Sequence, residues 1–221
     1  MTENAKKFLT RLSNIFLILG IVLIFLTYYQ IVFNEVKYRI DNLLKVSYTL
    51  ESEGIKVEDK KSSFIDAKNI IIKPINTDFS IVIESINVSA PIISDVPIIN
   101  KQDYLESLKK GVAHASFSDY PDNPVGKVYL FAHSSSNFWE LGRYSSVFNL
   151  LHKLKVDSQI NIFYKNKRYV YQVENIEYKK DFRVDETIYE SIGPSLTLQT
   201  CHPPGTTLNR LIITSSLIKV E

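Results

Sequence analysis

The stretch that decides the fold of this chain is SLTLQTCHPPGTTLNRLIITSS, residues Ser195 to Ser216. Apolar and polar residues alternate before Cys201, and an apolar run, Leu211 to Ile213, follows Arg210. Alternation with a period of two is typical of a β-strand, so two strands joined by a short loop are predicted. The only cysteine of the chain therefore lies at the end of one predicted strand, and an arginine lies at the start of the next.

Similar strand patterns occur upstream of this stretch. DFSIVIESINVSAPII, GKVYLFAH and SQINIFYKNKRYVYQVENIEYKK are rich in β-branched and aromatic residues, and the turn residues Lys165-Asn166-Lys167 divide the last of them into a hairpin. DYLESLKKGVAHA predicts a helical turn or two that ends at Gly111, and the apolar spacing in SVFNLLHKL predicts another short helix. Many short strands and few helices favour a single β-barrel or β-sandwich.

The N-terminal part contains an apolar segment long enough to cross a membrane, which takes roughly 20 residues. No charged residue lies between Arg11 and Glu35, and the basic residues before the segment place the N-terminus in the cytoplasm by the positive-inside rule. Thr27-Tyr28-Tyr29-Gln30 offers no small-x-small cleavage site, which argues against a cleaved signal peptide. We predict a cytoplasmic N-terminus at 1–12, a transmembrane signal anchor at 13–34, an extracellular stalk or linker at 35–75 and one extracellular domain at 76–221.

Composition excludes several classes of function. The net charge of +2 is too small to indicate a nucleic-acid partner, and no basic block interleaved with aromatic residues occurs. A single cysteine excludes an internal disulfide and a CxxC metal site.

Three residues at predicted strand ends carry the chemistry: Cys201, His133 and Arg210. A thiolate is the nucleophilic form of cysteine, an imidazole can protonate a leaving amine, and a guanidinium can stabilise a developing oxyanion. Together they suffice for acyl transfer through a thioester. A lone cysteine is also often a buried apolar side chain, and an arginine at a strand start is often a solvated edge charge, so these residues alone leave a structural role open.

Four blocks in order resemble the sortases, membrane-anchored cysteine transpeptidases of Gram-positive and related bacteria. TLQTC (Thr197 to Cys201) is similar to the family's TLxTC strand, with Arg210 in the arginine position. GKVYLFAHSS (Gly126 to Ser135) is similar to the strand that carries the catalytic histidine, here His133. The other two blocks are SIVIESINVSAPII (Ser80 to Ile93) and LKKGVAHASFSDYPDNPVGK (Leu108 to Lys127), and the resemblance covers roughly residues 78 to 219.

The resemblance implies a mainly β fold, an eight-stranded barrel with short helices. It also implies a reaction in which Cys201 attacks an LPxTG-like sorting signal of a secreted protein and forms a thioester. An amine, from a peptidoglycan precursor or a pilin lysine, then accepts the acyl group. His133 is expected to be the general acid and base, and Arg210 to stabilise the oxyanion or position the substrate.

Secondary roles are expected near the cysteine. Thr200 is a candidate for a substrate contact, and the loop with Pro203, Pro204 and Gly205 is a candidate wall of the substrate groove. No cofactor is expected. Some sortases bind calcium, and the candidate acidic residues for it fall in the segment before the last two strands: Asp181, Asp185, Glu186 and Glu190.

The other histidines are expected to be structural or exposed. His114 is assigned a structural role, His202 is expected on the strand face opposite to Cys201, and His152 is expected to face solvent.

Two alternative functions remain open from the sequence. The first is a membrane-tethered peptidase that uses the same residues and hands the acyl group to water. The second is a tethered binding domain without catalysis. The sequence ends directly after the last predicted strand without an apolar anchor, which favours cell-wall attachment over pilin polymerisation within the family.

Overall fold

The computed structural model describes residues 3–50, 69–97, 101–134, 144–180 and 193–221. Two α-helices, α1 (Glu3–Leu43) and α2 (Lys101–Lys110), occur in these ranges. The strands are β1 (Ser47–Leu50), β2 (Asn69–Ile72), β3 (Phe79–Ile83), β4 (Val88–Val96), β5 (Val112–Ala115), β6 (Lys127–Phe131), β7 (Gln159–Tyr164), β8 (Lys167–Lys179), β9 (Ser195–His202) and β10 (Asn209–Val220).

Eight strands close into a barrel in the order β10-β8-β7-β3-β4-β5-β6-β9, which confirms the predicted fold. The β4–β5 and β6–β9 pairs are parallel, and the other neighbours are antiparallel. Closure pairs every barrel strand on both sides, so the barrel itself has no edge strand.

Local sequence explains several of these elements. The β7–β8 hairpin turns at Lys165 and Asn166, whose φ angles of 50° and 60° suit the two-residue turn that matches strand twist. Helix α2 ends at Lys110, directly before Gly111, as predicted. Only glycine fits at 111, because a Cβ there would lie 2.3 Å from the carbonyl oxygen of Pro91. That close approach lets β5 start beside β4.

Alternate residues of the strands fill the core. Leu196 and Leu198 of β9 are fully buried, as are Leu130 of β6 and Ile213 of β10. Because successive side chains of a strand point to opposite faces, the row Thr197, Gln199 and Cys201 lies on the other face of β9.

The segment that precedes β7 differs from its prediction. The apolar spacing of SVFNLLHKL predicted a short α-helix, but residues 144–150 form turns and Leu151–Lys153 forms a single turn of 3₁₀-helix. The amides of Leu151, Lys153 and Leu154 bond to carbonyl groups three residues back. Phe148 and Leu151 are fully buried and Leu154 nearly so, which shows that the spacing reflects packing on the barrel rather than α-helix formation.

The predicted stalk contains regular structure. Helix α1 continues beyond residue 34, β1 pairs in parallel with β2, and Leu50 and Ile72 cover Val82 of the barrel. Residues 51–68, which include most of the charged part of the predicted stalk, lie outside the described residues. The predicted domain boundaries stay predictions.

Helix α1 is long and apolar enough to cross a membrane. Between Lys6 and Leu43 it contains an 18-residue window with a mean hydropathy of 2.5, none of it buried. Beyond that window Glu35 accepts a hydrogen bond from Lys153 Nζ at 2.9 Å, and the Lys153 ammonium lies 5.6 Å from the ring centroid of Tyr38. The helix therefore contacts the barrel directly.

Candidate active site

The register of two parallel strands sets His133 beside Cys201. Lys127 of β6 pairs with Ser195 of β9, and Phe131 pairs with Gln199. Continued for two residues, this register places His133 opposite Cys201. Neighbouring strands lie about 4.8 Å apart, so the imidazole and the thiol come from adjacent rows on one face.

Arg210 approaches the thiol from the other side of β9. It is the direct antiparallel partner of Cys201 in the β9–β10 ladder, so both side chains stand on the same face. Its Nη1–H donates a hydrogen bond to Cys201 Sγ at 3.2 Å. The cysteine is a free thiol and is half-buried. The structure thus brings Arg210 into direct contact with Cys201, and the register of β6 and β9, continued past Phe131, places His133 on the other side of the thiol.

Backbone and side-chain bonds hold this junction. The buried Thr200 Oγ1 donates to the carbonyl oxygen of Ala132 at 2.8 Å, and the amide of Ala132 donates to the carbonyl oxygen of Gln199 at 3.2 Å. The amide of Phe148 donates to the carbonyl oxygen of His133 at 3.2 Å. The Thr200 hydroxyl, a candidate substrate contact, is therefore engaged in joining the two strands.

Helix α2 brings to the site an aromatic side chain, Tyr104, that no sequence pattern indicated. The Tyr104 ring stacks on Phe131 with 5.2 Å between centroids and 9° between planes. It also meets the His133 ring edge-on, at 6.4 Å and 89°. Burial raises the pKa of the Tyr104 hydroxyl, the Cys201 charge raises it further, and the Arg210 charge lowers it. The helical pattern predicted α2 but carried no signal that α2 packs beside His133.

The loop after Cys201 forms a tight turn. Pro203 and Gly205 are exposed and Pro204 is half-buried. Pro203 accepts two hydrogen bonds, from the amide and the hydroxyl of Thr206, at 3.0 and 2.8 Å. Gly205 has a φ of 82°, which favours glycine. The loop borders the thiol, and its role as a wall of the substrate groove stays a prediction.

His202 and His152 lie together behind the thiol. Alternation along β9 turns His202 away from Cys201, and its ring packs against Tyr178 and His152 at centroid distances of 4.7 and 5.7 Å. His152 was expected to face solvent, but its side chain is only 21% exposed because the 3₁₀ turn packs it beside Glu35. Burial lowers the pKa of both imidazoles.

His114 is fully buried in β5 and bonded on both ring nitrogens. Nδ1 accepts from the amide of Asp95 at 3.4 Å, and Nε2 lies 2.9 Å from the carbonyl oxygen of Asp119 and 3.0 Å from Ser118 Oγ. Burial lowers its pKa despite the neighbouring carboxylates of Asp95 and Asp119. These contacts are those of a structural side chain.

Within the described ranges, no group of three or more histidine, cysteine or acidic residues is placed to hold a metal ion. The acidic residues considered for calcium, Asp181, Asp185, Glu186 and Glu190, lie outside those ranges.

Comparison with known proteins connects this geometry to a family. A family model described as the sortase domain matches residues 81–218. Sortase C-1 from Actinomyces oris is 25% identical with a TM-score of 0.54, covering 66% of this chain and 76% of its own. Sortase C1 of GBS pilus island 1 is 23% identical with a TM-score of 0.53, covering 64% of each chain.

A third solved structure has the same fold. Sortase C1 from Streptococcus suis is 21% identical with a TM-score of 0.52, covering 65% of this chain and 74% of its own. No curated protein sequence matches the chain.

Proposed function

The chain belongs to the sortase family, and we propose that it is a cysteine transpeptidase that cleaves a sorting signal and transfers the acyl part to an amine. The observation that carries this proposal is the 3.2 Å contact between Arg210 Nη1 and Cys201 Sγ. The guanidinium lies on a free, half-buried thiol, and His133 follows the end of the neighbouring strand β6 by two residues. A thiol with a histidine and an oxyanion donor nearby supports acyl transfer through a thioester.

Acylation uses the three side chains in turn. Cys201 Sγ attacks the carbonyl carbon of the scissile peptide bond, and the thiol proton passes to His133. Arg210, beside the sulfur, donates hydrogen bonds to the oxyanion that develops on the carbonyl oxygen. The carbon–nitrogen bond then breaks, and His133 returns the proton to the leaving amine.

Deacylation reverses these roles. An incoming amine attacks the thioester, His133 accepts its proton, and the carbon–sulfur bond breaks as His133 passes that proton to the departing sulfur. Neither half-reaction needs a cofactor. If water attacks instead, the same residues hydrolyse the substrate, so the peptidase alternative differs only in what reaches the thioester.

The proposed location follows from α1. We place α1 as a single-pass anchor with its N-terminus in the cytoplasm, because the basic residues Lys6, Lys7 and Arg11 precede its apolar part. The barrel then lies outside the cell, where secreted proteins with an LPxTG-like signal pass. The acceptor is an amine of a peptidoglycan precursor or a lysine of a pilin subunit.

Product analysis tests the proposal. Full-length protein in detergent micelles is incubated with a library of LPxTG-like peptides, without an amine, with an oligoglycine and with a lysine-containing peptide. We expect amine-dependent ligation products that name the motif and the acceptor. Hydrolysis alone, whatever amine is offered, would overturn the transpeptidase in favour of the peptidase.

A cell-based comparison addresses the non-catalytic alternative. Cys201→Ala should abolish cell-wall attachment of proteins that carry the recognised signal, because the thioester cannot form. Unchanged attachment by this variant would show that the domain acts by binding alone.

A further inference from the structure

The contacts of Tyr104 place its side chain over the row of residues that leads to the thiol. Phe131 and His133 alternate along the same face of β6 and its extension, and Tyr104 contacts both rings. On the neighbouring strand, the residues in register are Gln199 and Cys201. Tyr104 is half-buried there and packs on the barrel core together with Leu108, one helical turn further along α2.

The hydroxyl of Tyr104 has no hydrogen-bond partner within the described residues. A phenol packed against a core usually has one. Tyr129, on the same face of β6, shows the ordinary case, since its hydroxyl donates to Gln199 Oε1. The unmatched hydroxyl of Tyr104 is thus a donor available to a molecule that enters the site.

The pKa of the Tyr104 hydroxyl responds to both reacting groups. The Cys201 charge raises it and the Arg210 charge lowers it. Because burial and the Cys201 charge raise its pKa, the hydroxyl keeps its proton at neutral pH and serves as a donor.

We propose that Tyr104 is a substrate-contacting residue of the acyl-transfer site, and that its hydroxyl donates a hydrogen bond to a backbone carbonyl oxygen of the peptide bound at Cys201. The inference rests on the proposed function, because it requires a peptide acyl group at the thiol. The Tyr104 ring, packed on Phe131 and His133, supplies the rigid support that keeps this donor in place.

Tyr104→Phe isolates the hydroxyl, because the ring and its packing remain. Single-turnover acylation by the peptide found in the product analysis should slow about tenfold, the usual effect of one lost hydrogen bond to a substrate. Alkylation of Cys201 by iodoacetamide should keep the wild-type rate, since this small reagent does not use the donor. A merely structural role would instead slow both reactions or lower the melting temperature.

Tyr120→Phe is the matched control. Its hydroxyl bonds to Asp95 at 2.7 Å and its ring packs on Phe79 at the start of β3. Since β3 and β9 run in the same direction, the start of β3 and Cys201 lie at opposite ends of the barrel. This variant should acylate at the wild-type rate.

The outcomes separate the two proposals. If Tyr104→Phe is acylated at the wild-type rate, the inference is overturned and the proposed function is left intact. Failure of the wild-type protein to acylate with any peptide overturns the proposed function itself.

Discussion

Substitution of Arg210 is the simplest test of its proposed role, which is to stabilise the oxyanion by hydrogen bonding. Loss of one oxyanion donor costs about 100- to 1000-fold in rate, so Arg210→Ala should lower kcat/KM of peptide cleavage by that factor. The kcat/KM of Arg210→Lys should lie between those of the wild type and Arg210→Ala. Lysine keeps the charge but lacks the planar fork of nitrogens that can bond Sγ and the oxyanion together. A fluorogenic peptide carrying the recognised motif gives both rates.

The control for this series is Arg168→Ala. Arg168 bonds to Asn161 and Glu221, contacts of the barrel wall away from the thiol, and its loss should leave kcat/KM nearly unchanged. If Arg210→Ala cleaves the peptide with the kcat/KM of the wild type, Arg210 takes no part in the mechanism.

The sequence predicted the three candidate catalytic residues, whose roles stay predictions, but not the aromatic side chain that packs beside them. Cys201, His133 and Arg210 stand in motifs that can be recognised, and the structure shows the contact between Arg210 and Cys201. Tyr104 sits in an ordinary amphipathic helix, and only the tertiary packing of α2 reveals its contacts with Phe131 and His133. A side chain that acts through long-range packing leaves no local pattern to read.

Among the elements, the β6–β9 junction matters most, because it sets the register of imidazole and thiol. Thr200 Oγ1 joins the two strands through the carbonyl oxygen of Ala132, with both groups buried. Thr200→Val removes the donor, keeps the shape and leaves that carbonyl oxygen with one bond fewer. We expect a loss of about 1 to 3 kcal/mol in the free energy of unfolding, measured by urea titration.

Thr200→Ser is the matched control because it retains the hydroxyl, and it should recover most of that stability. The valine variant should also acylate more slowly than the serine variant, since its strands hold the register less firmly. Equal stability of the two variants would show that the bond contributes nothing.

Strand patterns predicted β3, β4 and β6 to β10 well, and the turn residues predicted the β7–β8 hairpin. The segment before β7 misled the prediction for a physical reason. Its apolar residues recur at helical spacing, but the amide of Phe148 is bound to the carbonyl oxygen of His133 and the following amides bond three residues back. Periodicity reports which side chains are buried, and the backbone can bury them without an α-helix.

The molecule as a whole couples a membrane-length helix to a closed barrel through contacts of the C-terminal part of that helix. Lys153 bonds to Glu35 and lies over Tyr38, and the strands β1 and β2 cover Val82 on the outside of the barrel. The charged stretch between these strands suggested a linker, and nothing local in the sequence indicated that its ends pair. Parallel pairing of β1 with β2 is a long-range contact, which composition does not encode.

Stability of the whole fold should depend on pH through buried histidines. Burial lowers the pKa of His114 below its usual value of 6.5, and the pKa values of His152 and His202 shift the same way. Below about pH 6.5 the unfolded chain therefore binds more protons than the folded protein does. The contribution of these histidines to the free energy of unfolding is complete above that pH and is lost as the pH falls. From about pH 7.5 to about pH 5.5, we expect the free energy of unfolding to fall by about 1 kcal/mol.

The double variant His152→Gln/His202→Gln shows which histidine causes this pH dependence of the free energy of unfolding. His114 is the fully buried histidine of the three, so the double variant should keep most of the loss. Urea titrations in detergent micelles at both pH values give the comparison. Equal or greater stability at the lower pH would contradict the burial of a neutral His114.

The proposed reaction requires Cys201 to form a covalent bond with the acyl part of a sorting peptide. Intact-protein mass spectrometry of the full-length chain tests it, after incubation with the LPxTG-like peptide library and no amine. We expect a mass increase equal to the acyl fragment, located on Cys201 by peptide mapping, absent from Cys201→Ala and removed by hydroxylamine. Cleavage of the peptide by Cys201→Ala at the wild-type rate, or cleavage by the wild type through no adduct on Cys201, would contradict it.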